Sequence, residues 1–198
     1  MVQVVLATHN EGKVREIQSL LQGLPVVVLS AGAVGLCEVE ETGATYEANA
    51  LLKARAAALQ CGLLAMADDS GLEVDALGGE PGVRSARYAG PDSSDEERYL
   101  KVLSAMTDVP PEQRTARFRC VIALADPRGQ TRVVEGCCEG RITSEPRGAE
   151  GFGYDPIFEV PELGRTMAEL TRPEKALVSH RGKALLLARD ALASMLRP

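Results

Sequence analysis

The sequence predicts an α/β fold, a mixed β-sheet flanked by helices, and two patterns lead to it. VQVVLA (2–7) and PVVVLS (25–30) are short β-branched runs with a helical stretch between them, the order that gives parallel strands. ARFRCVIALA (116–125) and TRVVEGCCEG (131–140) flank the turn Pro127-Arg128-Gly129-Gln130, the order that gives an antiparallel hairpin. No repeat, low-complexity stretch or linker interrupts the 198 residues, so one continuous domain over 1–198 is expected.

Local chemistry predicts each element in turn. A helix over roughly 12–22 places Val14, Ile17, Leu20 and Leu21 at helical spacing and stops near Gly23. Thr45 is the expected N-cap of a helix running to Gly62, a glycine where a left-handed residue is favoured. On that helix Ala48, Leu51, Leu52 and Leu59 form the expected apolar stripe, with Asn49 and Lys53 on a different face. LLAMA (63–67) reads as a buried strand ending at Asp68-Asp69-Ser70-Gly71. Gly78 to Pro91 reads as an ordered loop. Ser93 or Ser94, each with a glutamate three residues on, then caps a helix reaching about Met106. A glycine-rich stretch from Gly148 to Pro156 precedes a short strand and two helices. The last helix, about 180–196, carries Ala184, Leu187, Ala188, Ala191, Leu192 and Met195 on one stripe.

Bulk properties narrow the function. Hydrophobic residues at 45% and charged residues at 25% are the balance of a globular protein, and no apolar run approaches membrane-spanning length. The opening MVQVVLATHNEGK lacks a basic n-region and turns polar after Ala7, so it reads as a first strand and a cytoplasmic location is expected. Five cysteines without a CxxC pair fit a reducing compartment better than a disulfide framework or zinc site. A net charge of -6 argues against a nucleic-acid duplex as partner but leaves a free nucleotide open.

Four clusters have residue types suited to chemistry. Thr8, His9, Asn10, Glu11, Gly12 and Lys13 lie between the first strand and first helix, where backbone N–H groups and the helix dipole favour phosphate. The same residues also read as an asparagine cap followed by a solvated lysine. Glu38, Glu40 and Glu41, with Asp68 and Asp69 at a strand end, offer the oxygen ligands that magnesium takes alongside phosphates. Acids in loops are equally ordinary solvated surface. Successive strand side chains face opposite ways, so only one aspartate is expected in the site. Lys53 reaches toward a phosphate or toward solvent. Phe152, Gly153, Tyr154 and Asp155, then Lys175 and Ser179-His180-Arg181, combine a ring that stacks on a base with donors suited to a purine carbonyl. Otherwise Phe152 is core and Ser179 a cap.

Taken together, LATHNEGKVREI, EETGATYEANALLKARAAA, ADDSGLEVDALGGEPGVRSARYAG, GFGYDPIF and LVSHRGKAL resemble the inosine/xanthosine triphosphate pyrophosphatase family, from Leu6 to the final helix. The resemblance implies an elongated, twisted mixed sheet whose helices form two lobes around a central cleft. It also implies a Mg²⁺-dependent homodimer that splits 6-oxopurine triphosphates (ITP, dITP, XTP, dXTP) into monophosphate and pyrophosphate. Residue by residue, Thr8 to Lys13 and Lys53 are implied to hold phosphates, and Glu40 and Asp69 to bind metal. Asp69 is also the implied proton acceptor and Ser70 a substrate contact. Phe152 to Asp155, Lys175, His180 and Arg181 are the implied base pocket. Arg181 is expected to stand apart from the phosphate loop and metal acids, so that its loss weakens ITP-over-ATP selectivity more than chemistry. Ala176 departs from the asparagine common at that position. A Maf-like pyrophosphatase acting on pyrimidine nucleotides, and a sensor that binds triphosphates without cleaving them, are the alternatives. The Phe152 to Asp155 and Ser179 to Arg181 segments speak against the first, and the retained acids against the second.

Overall fold

The computed structural model describes residues 1–21, 23 and 25–195. Strands β1 (Val2–Leu6), β2 (Val26–Ser30), β3 (Leu64–Val74), β4 (Thr115–Ala125), β5 (Thr131–Ile142), β6 (Phe158–Val160) and β7 (Arg165–Thr166) form a sheet ordered β2-β1-β3-β4-β5-β6-β7. β1 pairs in parallel with β2 and β3, whereas β5–β6 and β6–β7 are antiparallel. The sheet is mixed, as the sequence predicts. β4 and β5 are neighbours joined by the short turn at Asp126–Gln130, whose carboxylate accepts the N–H groups of Arg128 and Gln130.

The helices are α1 (Glu11–Leu20), α2 (Tyr46–Cys61), α3 (Asp95–Ala105), α4 (Arg172–Val178) and α5 (His180–Met195). Their starts obey local rules. Asn10 caps α1, and Thr45 caps α2 by accepting from the Ala48 N–H. Ser94 and Glu97 form a capping box on α3, which decides between the two candidate serines. Gly62 ends α2 at φ 64°, the left-handed region that only glycine enters cheaply. The expected ends at residues 22 and 196, and the side chain of Leu20, lie outside the described residues.

Three expectations change. β3 does not stop at Ala67 but runs on to Val74, eleven residues in all from Leu64, so Asp68 and Asp69 sit in mid-strand. Aspartate disfavours strands by propensity, and neighbouring cations override that here. On α2 the buried residues are Tyr46, Asn49, Ala50, Ala54, Ala57 and Ala58, while Leu59 is 74% exposed. Small alanines bring this helix close to its neighbours, and Asn49 lies on their face instead of opposite it. On α5, Leu187 is half exposed, and Leu185 is buried with Ala184, Ala188 and Leu192. At about 100° per residue, that buried face is centred on Arg181.

Residue contacts divide the chain into two compact units, each discontinuous in sequence. The first comprises Met1–Asp69, Cys120–Gly136 and the chain from Arg181 onward, and the second comprises Ser70–Arg119 and Cys137–His180. Each has its own core. Val4, Leu6, Ile17, Met66, Ile122, Leu185 and Leu192 belong to the first, and Leu72, Met106, Phe118, Ile157, Phe158 and Met167 to the second.

Candidate active site

The first unit gathers charge around β3. Because successive strand side chains alternate, Asp68 and Asp69 acquire different partners. The Asp68 carboxylate, fully buried, meets Lys13 Nζ at 3.0 Å and the Arg181 guanidinium at 3.3 Å, with Cys120 Sγ 3.9 Å away. Arg181 extends the chain through Nη1 to Glu16 Oε2 at 2.6 Å. Asp69 accepts from Asn49 Nδ2 at 3.0 Å and lies 3.9 Å from Lys53 Nζ. Lys53 also donates to the Asp68 carbonyl at 2.8 Å and pairs with Glu41.

The two aspartates are tuned in opposite directions. Burial alone pushes Asp68 up, but Lys13, Arg181 and Lys53 outweigh it and hold the carboxyl well below the usual range. Asp69 is raised, first by burial and then by the charge of Glu41, against the opposing pull of Lys53. Burial lowers Lys53, yet Asp68, Asp69 and Glu41 together raise it. The Cys120 thiol, buried beside Asp68, is pushed up to about 12 and stays protonated. A group with a depressed folded pKa contributes stability above its unfolded pKa and loses it as pH falls. Asp68 therefore predicts that thermal midpoints drop as pH falls below about 4, with a shallower acid limb in Asp68→Asn. Parallel limbs in a pH series of melting curves would contradict the assignment.

In the loop before α1, Asn10 Oδ1 accepts the Lys13 N–H at 3.0 Å, and Thr8 Oγ1 accepts the Asn10 N–H at 3.2 Å. The cap half of the plainer reading therefore holds for Asn10, but Lys13 is not a solvated lysine. His9 and Glu11 are exposed, and Gly12 is half-buried. Of the acidic loop, Glu38 and Glu40 are exposed, whereas Glu41 turns toward Lys53 and Asp69. Among the described residues no three His, Cys, Asp or Glu side chains form a ready metal cage. Mg²⁺ asks for less, commonly one or two carboxylates completed by water and phosphates. Asp69 with Glu41 meets that demand. The raised pKa of Asp69 reflects a burial cost and a repulsion that a divalent cation would offset.

The second unit gathers the other set. Asp155 is 3% exposed and is its hub, with Oδ2 accepting the Phe152 N–H at 2.8 Å and Lys175 Nζ at 2.6 Å. Gly151 is required beside it, since a Cβ there would stand 2.1 Å from the Asp155 carboxylate, at φ +80°. Lys175 Nζ lies 4.7 Å from the centre of the half-buried Phe152 ring. The Gly153 N–H donates to Asp95 at 2.6 Å and Tyr154 Oη to the Ser85 carbonyl at 2.8 Å, which pins the loop to α3 and its preceding segment. His180, 5% exposed, stacks on Phe118 with ring centres 4.6 Å apart. Ser70, half-buried, follows Asp69 in β3.

Arg181 departs from its expected isolation. Its guanidinium is bound to Asp68 and Glu16 in the first unit, because the buried face of α5 is centred on it. Sequence reasoning also passed over Glu16, Asn49 as a partner of Asp69, Ser85 and Asp95. Glu16 follows Lys13 by three residues on α1, a spacing that places both on one face and could have exposed it.

A parallel-stranded start to the sheet, a capped helix following β1, and buried carboxylates matched by lysine and arginine define an α/β protein with a charged cluster built around β3. Comparison with known proteins gives the family. The family model described as Ham1 family matches residues 4–191. The dITP/XTP pyrophosphatases of Shigella flexneri and Geobacter sulfurreducens are both 54% identical, covering 97% of this chain and 98% and 97% of theirs. A solved HAM1 protein from Coxiella burnetii superposes with a TM-score of 0.90 at 46% identity, covering 98% of this chain and all of the other. A nucleoside-triphosphatase / dITP/XTP pyrophosphatase from Mycobacterium abscessus gives 0.76 at 43%, covering 99% of this chain and all of the other. The chain belongs to the Ham1 family. No helix among the described residues is long and apolar enough to cross a membrane.

Proposed function

We propose that this chain hydrolyses ITP, dITP, XTP and dXTP to the monophosphate and pyrophosphate, keeping deaminated purines out of DNA and RNA. The observation that carries the reading is the pair of adjacent buried aspartates in β3 with opposite electrostatics. One is a fixed anion anchoring two cations, and the other has its pKa raised toward the range of a working base. The names of relatives such as the Shigella flexneri dITP/XTP pyrophosphatase support the same substrate class.

Thr8 to Lys13 take the phosphates, with the α1 N-terminus and Lys13 supplying positive charge. Asp69 accepts the proton of the attacking water, whose oxygen forms a P–O bond as the α–β anhydride bond breaks. Lys53 holds the acidic loop against β3 and adds charge where pyrophosphate departs. Asp69 and the Glu40–Glu41 pair, with Glu41 the acid turned toward Asp69, provide carboxylates for Mg²⁺. When bound, the ion neutralises phosphate oxygens and acidifies a water. Ser70 contacts substrate beside Asp69. Phe152 to Asp155 present a ring and a loop for the purine, and Lys175 and His180 donate toward O6, while Arg181, next in the chain, is bound to Asp68 and Glu16. Adenine carries an amino donor there, and a buried unpaired donor costs ~1–3 kcal/mol, a 10- to 100-fold preference from one contact. The protein works as a cytoplasmic homodimer.

Product analysis tests the reaction. ITP is expected to yield IMP and pyrophosphate only with Mg²⁺, and EDTA is expected to stop turnover. Turnover that survives chelation, or IDP with orthophosphate as products, contradicts the proposal.

A further inference from the structure

Asn49 is wholly buried on α2, where an asparagine is a poor helix former and a polar side chain needs partners. Its amide has them on both sides. Nδ2 donates to Asp69 Oδ2 at 3.0 Å, and Oδ1 accepts the Gly43 N–H at 2.7 Å. The amide thus joins β3 to the loop that carries Glu40 and Glu41. Gly43 lacks a side chain for a reason: a Cβ there would lie 2.6 Å from Asn49 Oδ1 and 2.8 Å from Ala48 Cβ. One helical turn on, Lys53 bridges the same two segments, through Glu41 and the Asp68 carbonyl.

We infer that Asn49 is a positioning residue for the hydrolysis. It fixes the Asp69 carboxylate in one orientation and, through Gly43, sets the acidic loop beside it. The inference rests on the reading of Asp69 as proton acceptor and metal ligand. It differs from a plain packing role because both ends of the amide touch segments that carry carboxylates. Losing it lets Asp69 rotate and the loop drift, which harms the chemical step and cation uptake more than capture of the nucleotide.

Steady-state kinetics on ITP with a Mg²⁺ titration test this on Asn49→Ala, Gly43→Ala and the double variant, with melting curves alongside. Asn49→Ala is expected to lower kcat ~10- to 100-fold with KM for ITP changed less than about threefold, and to raise the Mg²⁺ needed for half-maximal rate. Gly43→Ala, which keeps Asn49 but crowds its oxygen, is expected to move both in the same direction by a smaller factor. The two effects should be less than additive, since both act on one bridge. A mere loss of folded protein lowers kcat but leaves the Mg²⁺ dependence unmoved. If Asn49→Ala fails to fold, the Mg²⁺ requirement of Gly43→Ala decides. An unchanged Mg²⁺ requirement, a kcat within about twofold of wild type, or strict additivity overturns the inference. Asp69→Asn separates the two levels. Full turnover in that variant defeats the reading of Asp69 itself, whereas an inactive Asp69→Asn beside a fully active Asn49→Ala defeats only the role of Asn49.

Discussion

Asp69→Asn is expected to abolish hydrolysis of every nucleotide while the protein melts at the wild-type temperature or above it. The amide nearly matches the carboxylate in shape but accepts no proton and is a poor Mg²⁺ ligand. Loss of the base alone costs ~10²–10⁴-fold in rate, and loss of the cation adds to it. The stability half follows from the sign of the pKa shift. Burial, then Glu41, raises Asp69, so its ionised form is disfavoured in the fold relative to the unfolded chain. That penalty sets in as pH rises through the ordinary carboxylate range and is fully present once pH exceeds the raised value. A neutral side chain removes it. Functional sites commonly carry such a cost, and relieving it trades activity for stability. Pyrophosphate release and a melting curve on one preparation suffice. Wild-type turnover sinks the assignment, and a large fall in melting temperature shows that Asp69 is instead part of the scaffold.

Local signals in the sequence were accurate where one turn of chain determines the outcome. Thr45 and Gly62 bracket α2, Ser94 with Glu97 starts α3, and Asn10 opens α1, because each cap is closed by atoms within four residues of it. Signals that depend on distant partners were not legible. Nothing near Asp68 says that β3 continues through it, since the lysine and arginine that make an aspartate tolerable in mid-strand come from α1 and α5. The bond from Arg181 to Glu16 spans 165 residues. The α2 stripe failed for another reason. Leucines in the sequence suggest the buried side, yet the helix packs through alanines and an asparagine, and Leu59 faces outward. That Glu41 pairs with Lys53 while Glu40 is exposed depends on the backbone direction of a loop that has no periodicity to read. The segments around Phe152, Lys175 and His180 were legible as composition, a glycine-flanked ring and three basic residues, but not Asp155 as the buried acid that ties Phe152 to Lys175.

Arg181→Ala is expected to be the most destabilising of these substitutions, and to lower kcat/KM for ITP, XTP, GTP and ATP by a similar factor. The sequence pointed to a selectivity residue, and the geometry changes that expectation. Arg181 is 2% exposed, and its guanidinium connects Asp68 with Glu16. Alanine leaves Asp68 wholly buried with one of the cations that balance it removed. Breaking a buried pair by deleting one partner costs ~3–5 kcal/mol, because the surviving charge keeps its desolvation penalty. For a chain of this size that is roughly 6–20 °C in melting temperature. Lys13 is then drawn more tightly to Asp68 and less to phosphate, and every substrate has the same phosphates. Arg181→Lys keeps the charge but not the fork that reaches Asp68 and Glu16 together, so an intermediate loss is expected. Melting curves and kcat/KM for the four nucleotides on both variants decide the matter. If Arg181→Ala melts like wild type and loses ITP turnover while ATP turnover is unchanged, the arginine reads the base and its bond to Asp68 is incidental. If all four fall together with the melting temperature, Arg181 acts as the counter-ion that keeps Asp68 ionised and Lys13 in place.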